Sequence, residues 1–303
     1  MARRRLAVLV IVVITGAAGC SKRTSDAKRD AGTTDAARDP AGLAKRFDQA
    51  CTQNDFEACR NLAILHAEGA GVPRDPAKAA ALLGKACTGG NLPACNQLAL
   101  AHAEGLGVAK NPALAVTEYQ RACDGGHHLA CRNLGLMLRD GRGVAADLPR
   151  AAALLDRACT GGAPYACTNA GDLDARLAAA GDRAREQAMV AHYKTGCDGG
   201  DPTACRQLGI AYLEGRGLPK STAAAALWLE RGCTADDATA CRLLGVMRLQ
   251  GVGGPRDPAL GTKLLTRACE RRDEQACAVI GKASTESGSA RRPGAPTGSG
   301  GPE

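Results

Sequence analysis

Fourteen of the fifteen cysteines fall into seven pairs, and this spacing constrains the fold more than any other feature of the chain. The two cysteines of each pair are eight residues apart, and successive pairs follow at 36 residues, or at 38 in one case. A period of this length is typical of two-helix repeats that stack into a solenoid. The pairs are Cys51 with Cys59, Cys87 with Cys95, Cys123 with Cys131, Cys159 with Cys167, Cys197 with Cys205, Cys233 with Cys241, and Cys269 with Cys277.

Each period contains two predicted helices. A helix opens at Asp75-Pro76 and runs to Cys87 with apolar residues at helical spacing. After Gly89-Gly90 a helix carries Cys95 and ends at Gly105. We call the helix with the second cysteine of a pair a first helix, and the helix that leads to the next pair a second helix. A Gly-x-Gly turn between them recurs in five repeats, at Gly69/Gly71, Gly105/Gly107, Gly141/Gly143, Gly215/Gly217 and Gly251/Gly253.

Two further columns describe the packing. An apolar anchor stands three residues after most second cysteines, at Leu62, Leu98, Leu134, Leu208, Leu244 and Ile280. The next residue is always alanine or glycine, which predicts close approach of neighbouring helices. The unit from Cys167 to Cys197 departs from this pattern, because Ala170 replaces the anchor, the Gly-x-Gly turn is missing and two residues are inserted. We expect a local kink or looser packing there; drift under little constraint is the alternative.

The cysteines of a pair cannot both lie on one continuous helix if they are bonded. Eight residues of helix span about 12 Å, beyond the limit of about 7 Å between the Cα atoms of a disulfide. The chain must therefore turn between them, at Gly89-Gly90 and its counterparts or, in three other pairs, at Asn54-Asp55, Asp236-Asp237 and Arg272-Asp273. We predict seven disulfides between the paired cysteines. Zinc is the competing use, but the chain contains no Cys-x-x-Cys.

The N-terminus predicts export. Residues 1–19 have the basic, apolar and small-residue parts of a signal peptide, and the apolar stretch is too short to span a bilayer. Ala17, Ala18 and Gly19 before Cys20 resemble a bacterial lipobox, so we predict lipidation of Cys20, with ordinary signal-peptidase cleavage as the alternative. Export leads to an oxidising compartment, periplasmic or at the outer membrane or cell surface. We predict a disordered tether at 20–39, the solenoid at 40–285 and a disordered tail at 286–303.

Composition excludes several other classes. With 45% hydrophobic and 23% charged residues the chain is neither disordered nor a membrane channel. Its formal charge of +8 is not clustered, and one Trp, four Tyr and two Phe offer few stacking platforms. We therefore expect no nucleic-acid partner.

The paired cysteines, the Leu-(Ala/Gly) column and the Gly-x-Gly-Val turns resemble cysteine-rich Sel1-like repeats, as in the secreted Helicobacter cysteine-rich proteins. The resemblance covers residues 40–285. It implies an all-α fold, an αα-repeat solenoid related to tetratricopeptide repeats and wound as a right-handed superhelix, with one disulfide per pair. It also implies binding of a protein or peptide. Some relatives are described as penicillin-binding proteins or weak β-lactamases, so binding or hydrolysis of a β-lactam, or binding of a peptidoglycan-derived peptide, is the alternative function.

A polar ladder on the first helices is the candidate binding site. Amides stand two residues after the second cysteines, at Asn61, Gln97, Asn133, Asn169 and Gln207, next to Arg60, Arg132 and Arg206. The ladder could bind the backbone or the carboxylate of an extended peptide. Alternatively, the amides bond neighbouring repeats or water.

Catalytic motifs occur only in the wrong context. A serine β-lactamase needs Ser-x-x-Lys and Lys-Thr-Gly, and these strings occur at 25–28 and 194–196. The first lies in the predicted tether and the second ends a predicted helix, so the catalytic residues remain unknown and a non-enzymatic scaffold is favoured. The five histidines, His66, His102, His127, His128 and His192, form no apparent ligand set. We therefore predict neither a metal nor a cofactor.

Overall fold

The computed structural model describes residues 39–179 and 181–289, which contain fourteen helices and no strand. The all-α prediction is confirmed. The helices are α1 (Pro40–Thr52), α2 (Phe56–Glu68), α3 (Pro76–Thr88), α4 (Leu92–Glu104), α5 (Pro112–Asp124), α6 (His128–Asp140), α7 (Leu148–Thr160), α8 (Ala166–Leu177), α9 (Arg183–Asp198), α10 (Pro202–Glu214), α11 (Thr222–Thr234), α12 (Ala238–Gln250), α13 (Pro258–Glu270) and α14 (Glu274–Ser289). First helices are the even-numbered ones from α2 to α14.

Short polar side chains fix where most helices begin. Asp75 accepts a hydrogen bond from the Lys78 N–H at the start of α3, and Asn91 accepts one from Ala94 at the start of α4. Proline follows in the first turn of both helices, where its missing N–H costs no hydrogen bond. The same kind of cap recurs at Asp55, Asn111, Asp147, Asp182, Asp201, Ser221, Asp237 and Asp257.

The Gly-x-Gly turns join neighbouring repeats closely. The first glycine ends a first helix in the left-handed conformation, as Gly105 does at φ 76°. The second glycine, such as Gly107, lies against the start of the preceding second helix, and a Cβ on Gly107 would lie 2.0 Å from the carbonyl oxygen of Pro76. The five predicted turns are confirmed, and glycine is required there for contact as well as for conformation.

All fourteen cysteines of the repeats form the predicted disulfides, with Cα–Cα distances of 4.5–4.8 Å. The bonds join Cys51 to Cys59, Cys87 to Cys95, Cys123 to Cys131, Cys159 to Cys167, Cys197 to Cys205, Cys233 to Cys241, and Cys269 to Cys277. Each disulfide joins the end of a second helix, or of α1, to the first helix that follows. Because these cysteines are bonded to one another, they are not zinc ligands. The third residue after the first cysteine has a positive φ in every pair, and this residue is Asn54, Asp236 or Arg272 where glycine is missing.

The predicted anchor column is buried at Leu62, Leu98, Leu134, Leu208 and Leu244, whereas Ile280 on α14 is partly exposed. The anchors Leu62, Leu134 and Leu208 are each no more than 1% exposed. A Cβ on Gly135 would lie 3.0 Å from the side chain of Leu155, and one on Gly209 would lie 2.8 Å from Leu229. The small residues on α6, α8, α10 and α12 therefore let a large residue of the following second helix pack against the backbone of the first helix.

Polar side chains replace part of this packing in the divergent unit, α8 and α9. The buried carboxylate of Asp174 accepts a hydrogen bond from Arg185 at 3.1 Å and contacts His192 Nδ1 at 2.9 Å, while His192 Nε2 lies 3.1 Å from Asp156 of α7. The apolar core is continuous from Cys51 to Leu173 and continues in separate clusters beyond α8. The unit thus departs from the repeat through polar contacts where the apolar core is interrupted, and the expected kink or looser packing stays a prediction.

The predicted termini lie largely outside the described residues. These include the signal peptide at 1–19, Cys20 and all of the tether except Asp39. Helix α14 continues to Ser289, beyond the expected end of the solenoid at 285, and residues 290–303 are again outside the described part. No helix among the described residues is long and apolar enough to cross a membrane.

Candidate functional site

The first helices share one exposed face, which we call the first-helix face. The residues one, five and nine positions after each second cysteine lie on the same side of their helix, since four residues complete slightly more than one turn. Successive first helices such as α6, α8 and α10 contact one another, which brings these positions into rows.

The central position, five residues after the second cysteine, forms an aliphatic row. Leu100 is 39% exposed, and the other members are partly exposed. The row consists of Ile64, Leu100, Leu136, Ile210 and Val246, and in α8 the corresponding residue is Asp172. Sequence analysis missed this row, although its signal is present as an apolar residue that recurs with the repeat period beside polar columns. Apolar side chains repeated on an exposed face are typical of an interaction surface.

The predicted ladder lies beside the aliphatic row, where several members bond neighbouring repeats. Asn133 donates to Asn96 Oδ1 at 3.0 Å, and Arg132 donates to Asn169 Oδ1 at 2.8 Å. The pKa of Arg132 is lowered by burial. These contacts match the alternative in which the amides link repeats.

The remaining ladder residues behave differently from one another. Arg206 donates to Asp237 at 2.8 Å, and Gln207 donates to Asp172 at 3.3 Å. Arg60 pairs with Glu57 on its own helix and contacts Asn61. Gln97 Oε1 is buried without a hydrogen-bond partner among the described residues. Intramolecular bonds therefore use much of the hydrogen-bonding capacity of the ladder, and its binding of a peptide stays a prediction.

The paired cysteines are structural and add no reactive group to the first-helix face. Cys59 and Cys241 are completely buried, whereas Cys277 on α14 is partly exposed. Each of these three, including the partly exposed Cys277, is bonded to the cysteine eight residues before it. Because a disulfide sulfur carries no thiolate, it offers neither a nucleophile nor a metal ligand. The cysteines therefore hold the helices that present the site and do not belong to the site itself.

Acidic residues end four of the first helices, at Glu68, Glu104, Asp140 and Glu214. A carboxylate at a helix C-terminus is disfavoured by the helix dipole, so helix stability does not explain its recurrence. Arg142 pairs with Glu104 at 2.7 Å, and the Arg139 guanidinium bonded to Asp140 lowers the pKa of that carboxyl. The carboxylate of Glu214 makes no hydrogen bond or ion pair with the described residues.

A pocket of about 230 Å³ opens where the aliphatic row is interrupted. Asp172 Oδ1 accepts hydrogen bonds from the Tyr193 hydroxyl at 2.8 Å and from the Gln207 amide. Burial, together with the adjacent Asp172 carboxylate, raises the pKa of Tyr193, so the phenol remains a donor. The described lining is Asp172, Ala175, Met189, Tyr193, Gln207, Ile210, Ala211, Glu214 and Arg216.

The histidines occupy structural positions. His66 is buried, with Nδ1 3.4 Å from the Pro73 carbonyl oxygen, and the ring of His128 packs against Gly161. His102 Nδ1 is buried without a hydrogen-bond partner among the described residues. Burial raises the pKa of Glu118, and the nearby His102 lowers this pKa by a smaller amount. His127 precedes α6 and makes no side-chain cap. No group of three or more potential metal ligands occurs in the described part of the chain.

The serine β-lactamase strings are not brought together among the described residues. Lys194, Thr195 and Gly196 lie in the last turns of α9, and the Lys194 ammonium is paired with Asp198 at 2.9 Å. Residues 25–28 lie outside the described part. The described structure thus contributes no strand to present a Lys-Thr-Gly wall, which that chemistry requires.

Stacked helix pairs, each tied to the next by a disulfide, define a class of αα-repeat scaffold with an extended surface on its first helices. The Sel1 repeat model matches residues 56–91, 92–127, 128–162, 202–237 and 238–273, together more than half of the chain. The chain therefore belongs to the Sel1 repeat family, whose fold generally mediates protein–protein interaction. Residues 163–201, which the match leaves out, contain the divergent unit.

Two solved structures share this fold, and a third is similar over part of the chain. A protective antigen of uropathogenic Escherichia coli is 24% identical with a TM-score of 0.71, over 77% of this chain and 50% of that protein, so the chain spans half of its length. A Sel1 repeat protein of Oxalobacter formigenes is 24% identical with a TM-score of 0.63, over 76% and 96% of the two chains. Helicobacter pylori cysteine-rich protein B is 22% identical with a TM-score of 0.37, over 44% and 95%. No curated protein shows significant sequence similarity to the chain.

Proposed function

We propose that this protein is an exported, lipid-anchored scaffold whose first-helix face binds an extended segment of a protein partner at the cell envelope. Seven disulfides are typical of an oxidising compartment outside the cytoplasm, which supports export. Lipidation of Cys20 rests on the sequence before that residue.

The aliphatic row carries this proposal. Its side chains recur at one position in five first helices, and its second member, Leu100, is 39% exposed although that exposure gains nothing for folding. A row with one site per repeat suits a partner in extended conformation, since such a partner can place side chains at regular intervals along the stacked helices. The flanking amides and arginines would bond the partner where their intramolecular contacts leave donors free.

The test compares two equally exposed leucines in the oxidised protein. Leu100 lies on the first-helix face, whereas Leu114, 38% exposed, lies on α5, a second helix. Peptides are selected from a random phage-displayed dodecamer library and measured by fluorescence anisotropy. We expect Leu100→Asp to weaken binding at least about tenfold, because it places a charge among apolar contacts, and Leu114→Asp to leave it unchanged.

Binding that survives Leu100→Asp would contradict the proposal, whether or not Leu114→Asp weakens it. Far-UV circular dichroism and thiol titration of each variant establish that the fold and the disulfides are intact. Lipidation is tested separately, by mass spectrometry of the protein purified from membranes, and an unmodified Cys20 would remove the anchor from the proposal.

A further inference from the structure

The pocket in the divergent unit lies on the first-helix face at the one described position where the aliphatic row is replaced by a carboxylate. Asp172 of α8 takes the place that Leu136 has on α6 and Ile210 has on α10. Ile210, itself a member of the row, lines the same pocket. A partner that follows the row therefore passes directly over this pocket.

The lining combines apolar walls with two carboxylates. Ala175 and Ile210 are partly exposed and offer methyl and methylene groups, while Met189 and Ala211 are buried. Asp172 and Glu214 supply the charges. A side chain that suits this lining has an apolar stem and a cationic end, which is the chemistry of lysine and arginine.

The charged residues that line the pocket carry a net negative charge. Arg216 is the cation in the described lining, and its guanidinium donates to the Ala175 carbonyl oxygen and lies 3.8 Å from Glu186. Arg139 of α6 attracts Asp172 from outside the pocket but is bonded to Asp140 at 2.7 Å. Since these two arginines already have carboxylate neighbours of their own, the charges of Asp172 and Glu214 are left over for a ligand.

Asp172 is held in place before any ligand arrives. Tyr193 and Gln207 both donate to its Oδ1, while Oδ2 makes no hydrogen bond with the described residues. An acceptor fixed by two donors loses little conformational freedom when a cation binds to its other oxygen.

From this geometry we infer that the pocket receives a lysine or arginine side chain of the peptide bound along the first-helix face. The stem packs against Ile210 and Ala175, and the cation lies between Asp172 and Glu214. This inference rests on the proposed function and adds to it the partner's chemistry, a basic residue flanked by aliphatic ones.

The experiment uses the peptides selected on the oxidised wild-type protein. We expect lysine or arginine to be enriched at one position, with aliphatic residues on either side. A selected peptide is then synthesised with its basic residue and with norleucine, which keeps a similar stem and removes the cation. We expect the norleucine peptide to bind about tenfold more weakly.

Protein variants identify the pocket as the place of recognition. Asp172→Asn keeps an oxygen acceptor for Tyr193 and Gln207 but removes the charge, and Glu214→Gln alters a residue without described bonds. We expect either variant to weaken binding of the basic peptide about tenfold and to leave binding of the norleucine peptide unchanged. Glu270→Gln, at the corresponding end of α13, a second helix outside the pocket, is the matched control and should have no effect.

The outcomes separate this inference from the proposed function. Peptides that require Leu100 but show no basic residue overturn the inference alone, as does an equal effect of Asp172→Asn on both synthetic peptides. Absence of any peptide that depends on Leu100 overturns both.

Discussion

Two glycines with positive φ allow two effects of an added side chain to be compared: the cost of the left-handed backbone conformation and the cost of a steric contact. A Cβ on Gly107 would lie 2.0 Å from the Pro76 carbonyl oxygen, whereas a Cβ on Gly126 would have no atom within 4 Å. We expect Gly126→Ala to lower the free energy of unfolding by about 1 kcal/mol, the cost of the left-handed conformation. Gly107→Ala should cost at least about 3 kcal/mol, because backbone must also move. Urea denaturation of the oxidised variants measures both, and equal losses would show that the contact is unimportant.

The contrast between these glycines also shows what sequence can predict at this scale. The Gly-x-Gly pattern predicts a turn because glycine is the residue that tolerates positive φ. It does not predict the contact with Pro76, which lies 31 residues earlier in the chain and depends on how repeats stack. The same limit applies to the ladder, since nothing in the identity of Asn133 specifies that it bonds Asn96.

A single carboxylate both starts α14 and ties it to α12. Asp273 accepts hydrogen bonds from the Ala276 N–H at 2.9 Å and from Arg242 at 3.0 Å. Burial alone would raise the pKa of Asp273, but these bonds, with one from Thr239, lower it overall. Because the folded-state pKa is then below the unfolded value of about 3.9, the stabilisation is complete above that pH and is lost as pH falls through the folded-state pKa.

This linkage gives a prediction for acid stability. Asp273→Asn can still cap the helix but carries no charge. We expect the wild-type protein to lose more free energy of unfolding than the variant as pH falls from about 4 to about 2. Urea denaturation at a series of pH values is the measurement, and parallel losses in the two proteins would mean that Asp273 contributes no acid sensitivity.

Helices could be predicted from the sequence where they follow the repeat, and less well where they do not. The caps, prolines and glycines recur every 36 residues, so α2 to α7 follow from local signals. Helix α9 has 16 residues rather than 13, and its contacts from His192 to Asp174 and Asp156 replace apolar packing. Such a polar cluster depends on side chains from three helices, which no local pattern specifies.

At the scale of the whole solenoid, stability should be local. Each disulfide closes a loop of about nine residues, worth roughly 2.5 kcal/mol in the chain-entropy model. We expect the double variant Cys123→Ala, Cys131→Ala to lose about this amount, with faster amide hydrogen exchange in α5 and α6. Exchange in α12 and α13 should be unchanged because stacked repeats contact only their neighbours. Faster exchange throughout the chain would show instead that the solenoid unfolds as one unit.

The separation of eight residues within every disulfide also bears on how the chain oxidises. Fourteen cysteines permit a very large number of pairings, yet the correct partner is always the next cysteine towards the C-terminus, from Cys51 with Cys59 to Cys269 with Cys277. A chain that emerges from its N-terminus therefore presents each cysteine with its native partner before any other free thiol of a later repeat. We expect the order of emergence to favour the native bonds, so that correct oxidation needs little reshuffling.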